Sequence, residues 1–154
     1  MIPKQRLRQA IFAAAAWAGL ACTDRPARAT EPNAVLWHRD VKTAWQSTQQ
    51  QNRPLLVFVT TNHCLYCSKM KQSTLSNPAV VATINRSFVP LVLSGETPSP
   101  LLADLAVTGF PATFIISQEA VILARLDGYV PPETLMSQLA AVRTTASSPP
   151  AGQR

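Results

Sequence analysis

Five consecutive apolar residues, Leu55-Leu56-Val57-Phe58-Val59, limit what this chain can fold into more than any other stretch. The run is continuous rather than alternating with polar residues, so it reads as a strand covered on both faces. A strand of that kind sits inside a sheet, with helices supplying the cover. Shortly after it come two cysteines three apart, in His63-Cys64-Leu65-Tyr66-Cys67, at a strand-to-helix junction.

The neighbouring sequence alternates between helix and strand signals. Val35-Leu36-Trp37 reads as a short first strand. Asp40 is a helix cap before an amphipathic run from Val41 to Gln51, with Ala44 and Trp45 on its inner face, and the helix stops before Pro54. Residues from Cys64 to Ser73 read as one helix, and Asn77-Pro78 as the cap and first residue of another through Ile84. Phe88 to Leu93 is a strand whose Pro90 calls for a strand start or an edge. A loop from Ser94 to Pro100 precedes a short helix, Leu101 to Ala106. Thr113–Ser117 and Ala120–Leu126 pair as a hairpin across Gln118-Glu119, and Pro132 to Val142 forms a closing helix.

A length of 154 residues, 47% of them hydrophobic, suits one domain with a real core. Residues 1–29 have the order of an export signal: basic Lys4, Arg6 and Arg8, twelve apolar residues from Ala10 to Ala21, and the small-residue site Ala27-Arg28-Ala29 before Thr30. The apolar stretch is short of the roughly 20 residues that span a bilayer. Lipid attachment at Cys22 is the alternative, although Gly19 stands where such sites carry leucine. The domain is therefore expected over residues 30–143, followed by a disordered Ser/Pro/Ala/Gly tail over 144–154.

Removing the leader takes away five of fourteen basic residues and one of eight acids, leaving nine against seven. Nothing basic and interleaved with aromatics remains, so no nucleic-acid partner is expected. Cys64 and Cys67 are the only cysteines of the mature chain, in a compartment where thiols are normally oxidised.

A cysteine at a helix N-terminus meets unsatisfied backbone N–H groups and the positive end of the helix dipole, which stabilise its thiolate. Cys64 holds that position. Cys67, one turn on, is close enough to attack a mixed disulfide formed on Cys64. This is the geometry of a dithiol exchange catalyst, and it needs no cofactor. Two other readings stay open. His63, Cys64, Cys67 and Met70 are a soft donor set suited to Cu(I) binding or delivery, without a second Cys/His cluster to complete a tetrahedral zinc site. The pair could also be a passive disulfide in an interaction domain, although so short a loop contributes little stabilisation.

The order of elements, the His63-Cys64-Leu65-Tyr66-Cys67 junction, Val107-Thr108-Gly109-Phe110-Pro111-Ala112-Thr113 and Arg125-Leu126-Asp127-Gly128-Tyr129 resemble the thioredoxin superfamily, in particular its exported members. The resemblance runs from about Val35 to Leu139. It implies an α/β thioredoxin-like fold, a central mixed sheet flanked by helices. It further implies thiol-disulfide exchange with exported proteins through Cys64 as nucleophile and Cys67 as resolving thiol. Pro111 would be cis and face the dithiol, and Phe110 and Pro111 would bind substrate. His63 and Tyr66, each next to a cysteine, are expected from that position to tune the pair. A redox partner would recycle the protein. No dimerisation segment is apparent, so a monomer is expected.

Two departures stand beside the resemblance. Ordinary thioredoxins have W-C-G-P-C where this chain has H-C-L-Y-C, so the reduction potential does not carry over. They also carry a buried acid six residues before the first cysteine, the position of Phe58 here.

Overall fold

The computed structural model describes residues 33–146. The expected export signal, Cys22 and most of the expected tail lie outside them. The elements are α1 (Val41–Gln51), β1 (Leu55–Thr60), α2 (Leu65–Lys69) running into a π-helical turn (Met70–Thr74), α3 (Pro78–Ser87), β2 (Val89–Ser94), α4 (Pro100–Asp104), β3 (Ala112–Ile116), β4 (Ile122–Asp127) and α5 (Pro132–Ala146).

The strands form one mixed sheet in the order β2-β1-β3-β4. β1 pairs parallel with β2 and antiparallel with β3, and β3 and β4 are an antiparallel hairpin. Every residue of β1 is buried, as its uninterrupted apolar sequence requires. Leu56 and Phe58 join Ile115 against α3, α5 and Met70 of the π-turn. Leu55, Val57 and Val59 join Phe114, Leu91 and Ala44 of α1 on the opposite face. The result is a sheet between two helical layers, the expected fold class.

Local chemistry sets the helix boundaries. The Asp40 carboxylate accepts from the Thr43 N–H at 2.8 Å and caps α1, which ends at Asn52 in the left-handed region (φ 52°). Asn77 accepts from the N–H groups of Ala79 and Val80, with Pro78 in the first turn of α3. Trp45 is half-buried and Ala44 fully buried on the inner face of α1.

The expected first strand, Val35-Leu36-Trp37, does not form. Only an isolated parallel bridge joins His38 to Leu91, through His38 N–H to the Pro90 carbonyl (2.8 Å) and Val92 N–H to the His38 carbonyl (2.9 Å). The next bond of that ladder needs an N–H from Pro90, which has none. The Leu36 N–H is taken by the Asn85 side chain at 3.0 Å. On the inner side Pro90 costs nothing, because the Val89 N–H bonds the carbonyl of Pro54, just before β1 (2.9 Å), the Gly95 N–H bonds that of Thr60 (2.8 Å), and residue 90 faces outward.

The helix expected from Cys64 to Ser73 is α2 followed by the π-turn, closed by the Leu75 N–H bonding the Met70 carbonyl at 2.9 Å. The short helix expected over Leu101–Ala106 lies one residue earlier and stops at Asp104, with Ala106 left-handed (φ 46°). The hairpin strands are Ala112–Ile116 and Ile122–Asp127. The last helix continues past Val142 to Ala146, three residues into the segment expected to be disordered.

Candidate active site

The parallel pairing of β1 with β2 requires the chain to return along the sheet between them, and α2 begins that return at the C-terminal end of β1. The short loop there is held from outside. Glu96, just past β2, accepts from the Asn62 backbone N–H at 3.0 Å with one carboxylate oxygen and from the Asn62 side chain with the other. His63, next to Cys64, is exposed.

Cys64 is the N-cap of α2. Its sulfur accepts from the Cys67 N–H at 3.0 Å, and its carbonyl from the Ser68 N–H at 3.0 Å. The two cysteines are joined in a disulfide with Cα atoms 5.1 Å apart. Their environments differ: Cys64 is part-exposed, whereas Cys67 is 1% exposed. A partner can reach the first sulfur and not the second.

The Phe110-Pro111 bond is cis, as the resemblance implied. Pro111 is buried, and its carbonyl accepts from the Gly128 N–H at 2.8 Å. The Val59–Ala112 pair ends the β1–β3 register, so Pro111 comes beside Thr60, at the end of the sheet that carries the dithiol loop. The Phe110 ring is 39% exposed and lies over Gly95, leaving a groove of about 340 Å³ lined by Gly95, Leu102, Val107 and Phe110 among others. Leu65 and Tyr66, the residues between the cysteines, are 80% and 57% exposed. Three large apolar side chains are thus left open to solvent on the two segments that meet here.

Met70 does not join this surface. It is fully buried and its sulfur accepts from the Val130 N–H at 3.4 Å, so the soft donor set of His63, Cys64, Cys67 and Met70 does not converge. Lys69 lies over the Tyr129 ring, 4.3 Å from its centroid, which places its ammonium on α2's outer side. Phe58, at the position of the family's buried acid, is in the core with the Trp37 ring 5.8 Å away.

The supporting roles of three residues were not legible in the sequence. Gly95 receives the Phe110 ring, and Glu96 holds Asn62. Arg125 donates to the Leu105 and Ala106 carbonyls at 3.2 and 3.3 Å while pairing with Asp127 at 2.9 Å, so it ties the segment before Pro111 to β4. The only local signal was the Arg125-Leu126-Asp127 spacing, which puts both charges on one face of a strand.

The sequence matches the family described as thioredoxin-like domain over residues 41–143. Among solved structures, a thioredoxin from Thermus thermophilus is 25% identical, with 74% of this chain and 91% of that one covered and a TM-score of 0.68. A DsbH oxidoreductase shares 18% identity over 96% of each chain, with a TM-score of 0.59. The oxidised DsbD C-terminal domain of Neisseria meningitidis shares 18% over 68% of this chain and 97% of that one, with a TM-score of 0.57. A comparison with curated proteins finds no match.

Proposed function

This chain belongs to the thioredoxin-like family, and from that premise we propose that it is a thiol-disulfide oxidoreductase acting on exported proteins through Cys64 and Cys67. The observation that carries the reading is the asymmetry of the pair: one sulfur is accessible at the start of a helix, and the other is sealed one turn behind it.

In the reducing direction, the Cys64 thiolate attacks a substrate disulfide. A Cys64–substrate bond forms and the substrate's second sulfur leaves as thiolate. Cys67 then attacks the Cys64 sulfur, the mixed disulfide breaks, and the first substrate sulfur leaves with its electron pair and takes up a proton. Two electrons pass to the substrate and the Cys64–Cys67 bond is restored. The oxidising direction is the same sequence reversed. Backbone N–H groups at the start of α2 favour negative charge on Cys64. Leu65, Tyr66 and Phe110 offer apolar contact to a peptide, with Pro111 beside the sulfur pair and His63 and Tyr66 tuning it.

Export rests on the leader pattern of residues 1–29, which predicts a mature chain starting at Thr30. No helix among the described residues is long and apolar enough to cross a membrane. A redox partner outside the cytoplasm would reset the pair, and the working unit is a monomer.

Mixed disulfides test the reading. Cys67→Ala should accumulate covalent complexes with substrate proteins, while Cys64→Ala forms none. Limiting iodoacetamide should label Cys64 first in the reduced protein. Equal labelling of the two cysteines, with no trapped complexes from Cys67→Ala, would leave the pair a passive crosslink.

A further inference from the structure

Three side-chain hydroxyls among the described residues are sealed from solvent with no hydrogen-bond partner: those of Thr48, Thr60 and Thr113. A valine has nearly the same shape and would avoid burying an unpaired polar group. Two of the three sit under the dithiol helix. Leu56 and Phe58 of β1 face the layer that holds Met70, so Thr60, two residues further, faces it as well. On β3, Ile115 faces that layer and hence so does Thr113, which is paired directly with Phe58. Thr60 and Thr113 are therefore diagonal neighbours across two strands, about 7–8 Å apart.

The buried face of α2 and the π-turn is Cys67, Met70 and Thr74. Because this segment starts at the end of β1 and returns along it, Cys67 comes first, over the end of the strand, and Met70 follows over its middle. Thr60 and Thr113 thus form the floor beneath the buried sulfur. No carboxylate among the described residues is buried; Asp40, Glu96, Asp104, Glu119, Asp127 and Glu133 are all exposed. The two hydroxyls are the polar side chains of that floor.

We propose that Thr60 and Thr113 donate hydrogen bonds to the Cys67 sulfur once the disulfide is opened, stabilising the resolving thiolate without a buried acid. A disulfide sulfur is a weak, uncharged acceptor, which leaves both hydroxyls unpaired in the closed state. The Cys67 thiolate is a strong acceptor, and a hydroxyl turns about its Cβ–Oγ bond to meet it. The hydroxyls exchange no proton; the Cys67 thiol proton goes to the departing substrate thiolate. The inference rests on the redox reading above and adds the groups that set the stability of its reduced state.

The test is the equilibrium of full-length protein with glutathione buffers at alkaline pH, where reduced Cys67 carries its charge and the hydroxyls meet a thiolate. Thr60→Val and Thr113→Val should each favour the disulfide several-fold more than wild type, and the pair together by about tenfold, which is about 30 mV towards more negative potential. Thr48→Val is the control, since Thr48 lies on α1 with Ala44 on the sheet's other face, and it should leave the potential unchanged. Thr60→Ser and Thr113→Ser keep the hydroxyl and should restore the wild-type value, also where a valine variant fails to fold. Potentials of Thr60→Val and Thr113→Val equal to that of Thr48→Val would overturn the inference. Failure of the wild-type pair to exchange with glutathione at all would instead overturn the redox reading.

Discussion

Replacing Gly95 with alanine separates the stability of the fold from the placement of Phe110. A Cβ on Gly95 would lie 2.2 and 2.4 Å from Cε1 and Cζ of the Phe110 ring and 3.1 Å from Cγ2 of Thr61. Carbon atoms in ordinary contact are about 3.5–4.0 Å apart, so the ring must retreat by roughly 1.5 Å. The backbone does not resist the change, because Gly95 is not at positive φ. With 39% of Phe110 exposed, the ring has room to turn. A side chain pushed off its rotamer costs about 0.5–1.5 kcal/mol, and losing a glycine from the unfolded chain returns about 0.4–1 kcal/mol. Urea unfolding should therefore place Gly95→Ala within about 1 kcal/mol of wild type. Substrate binding should respond more, because the displaced ring closes the groove beside it. We expect KM for a protein disulfide to rise about fivefold, a change worth about 1 kcal/mol, with kcat held. In a Phe110→Ala background the same substitution meets no ring and should leave KM where Phe110→Ala put it, giving a non-additive cycle. An equal effect of Gly95→Ala with and without the ring would refute the claim that Gly95 is small for the sake of Phe110.

Arg125→Met removes the donors to the Leu105 and Ala106 carbonyls; amide exchange should speed up over residues 105–110, with a loss of about 1 kcal/mol in unfolding free energy. Leu135→Ala opens the core on a fully buried residue and should cost about 2–5 kcal/mol by thermal or urea unfolding, equally in oxidised and reduced protein. The Asp40 carboxyl titrates below its ordinary 3.8, chiefly because the Thr43 hydroxyl and then the Thr43 N–H bond its charged form. A depressed folded-state value means its contribution is present above 3.8 and is lost as pH falls through the lower value. Asp40→Asn should accordingly remove that part of the acid sensitivity of α1, read as amide protection across the helix during an acid titration.

Much of the architecture was legible because its causes are local. Asp40 and Asn77-Pro78 marked two helix starts through cap chemistry that acts within four residues. The unbroken apolar run from Leu55 to Val59 required cover on both sides and became the buried strand β1. The position of Cys64 at the strand-to-helix junction followed from the same run, and so did its role as N-cap of α2.

Long-range partners decided the rest. Val35-Leu36-Trp37 has strand composition, yet Pro90 withholds the N–H that would extend its ladder, and Asn85 takes the Leu36 N–H instead. Met70 stood in the soft donor set because of its thioether, while its helical spacing from Cys67 pointed to the core, and the packing of the π-turn on the sheet decided for the core. Nothing near Gly95 in sequence announces the Phe110 ring fifteen residues later.

Sequence alone determined that this chain has a doubly covered strand leading into a dithiol at the start of a helix, because apolar continuity and capping are properties of neighbouring residues. Tertiary structure decided what surrounds that dithiol. A strand buried on both faces carries no polar alternation to tell which side chain points which way. The pairing of Phe58 with Thr113 and the sharing of one layer by Phe58 and Met70 turned two unremarkable threonines towards the layer that holds Met70, and pairing register is a property of segments more than fifty residues apart.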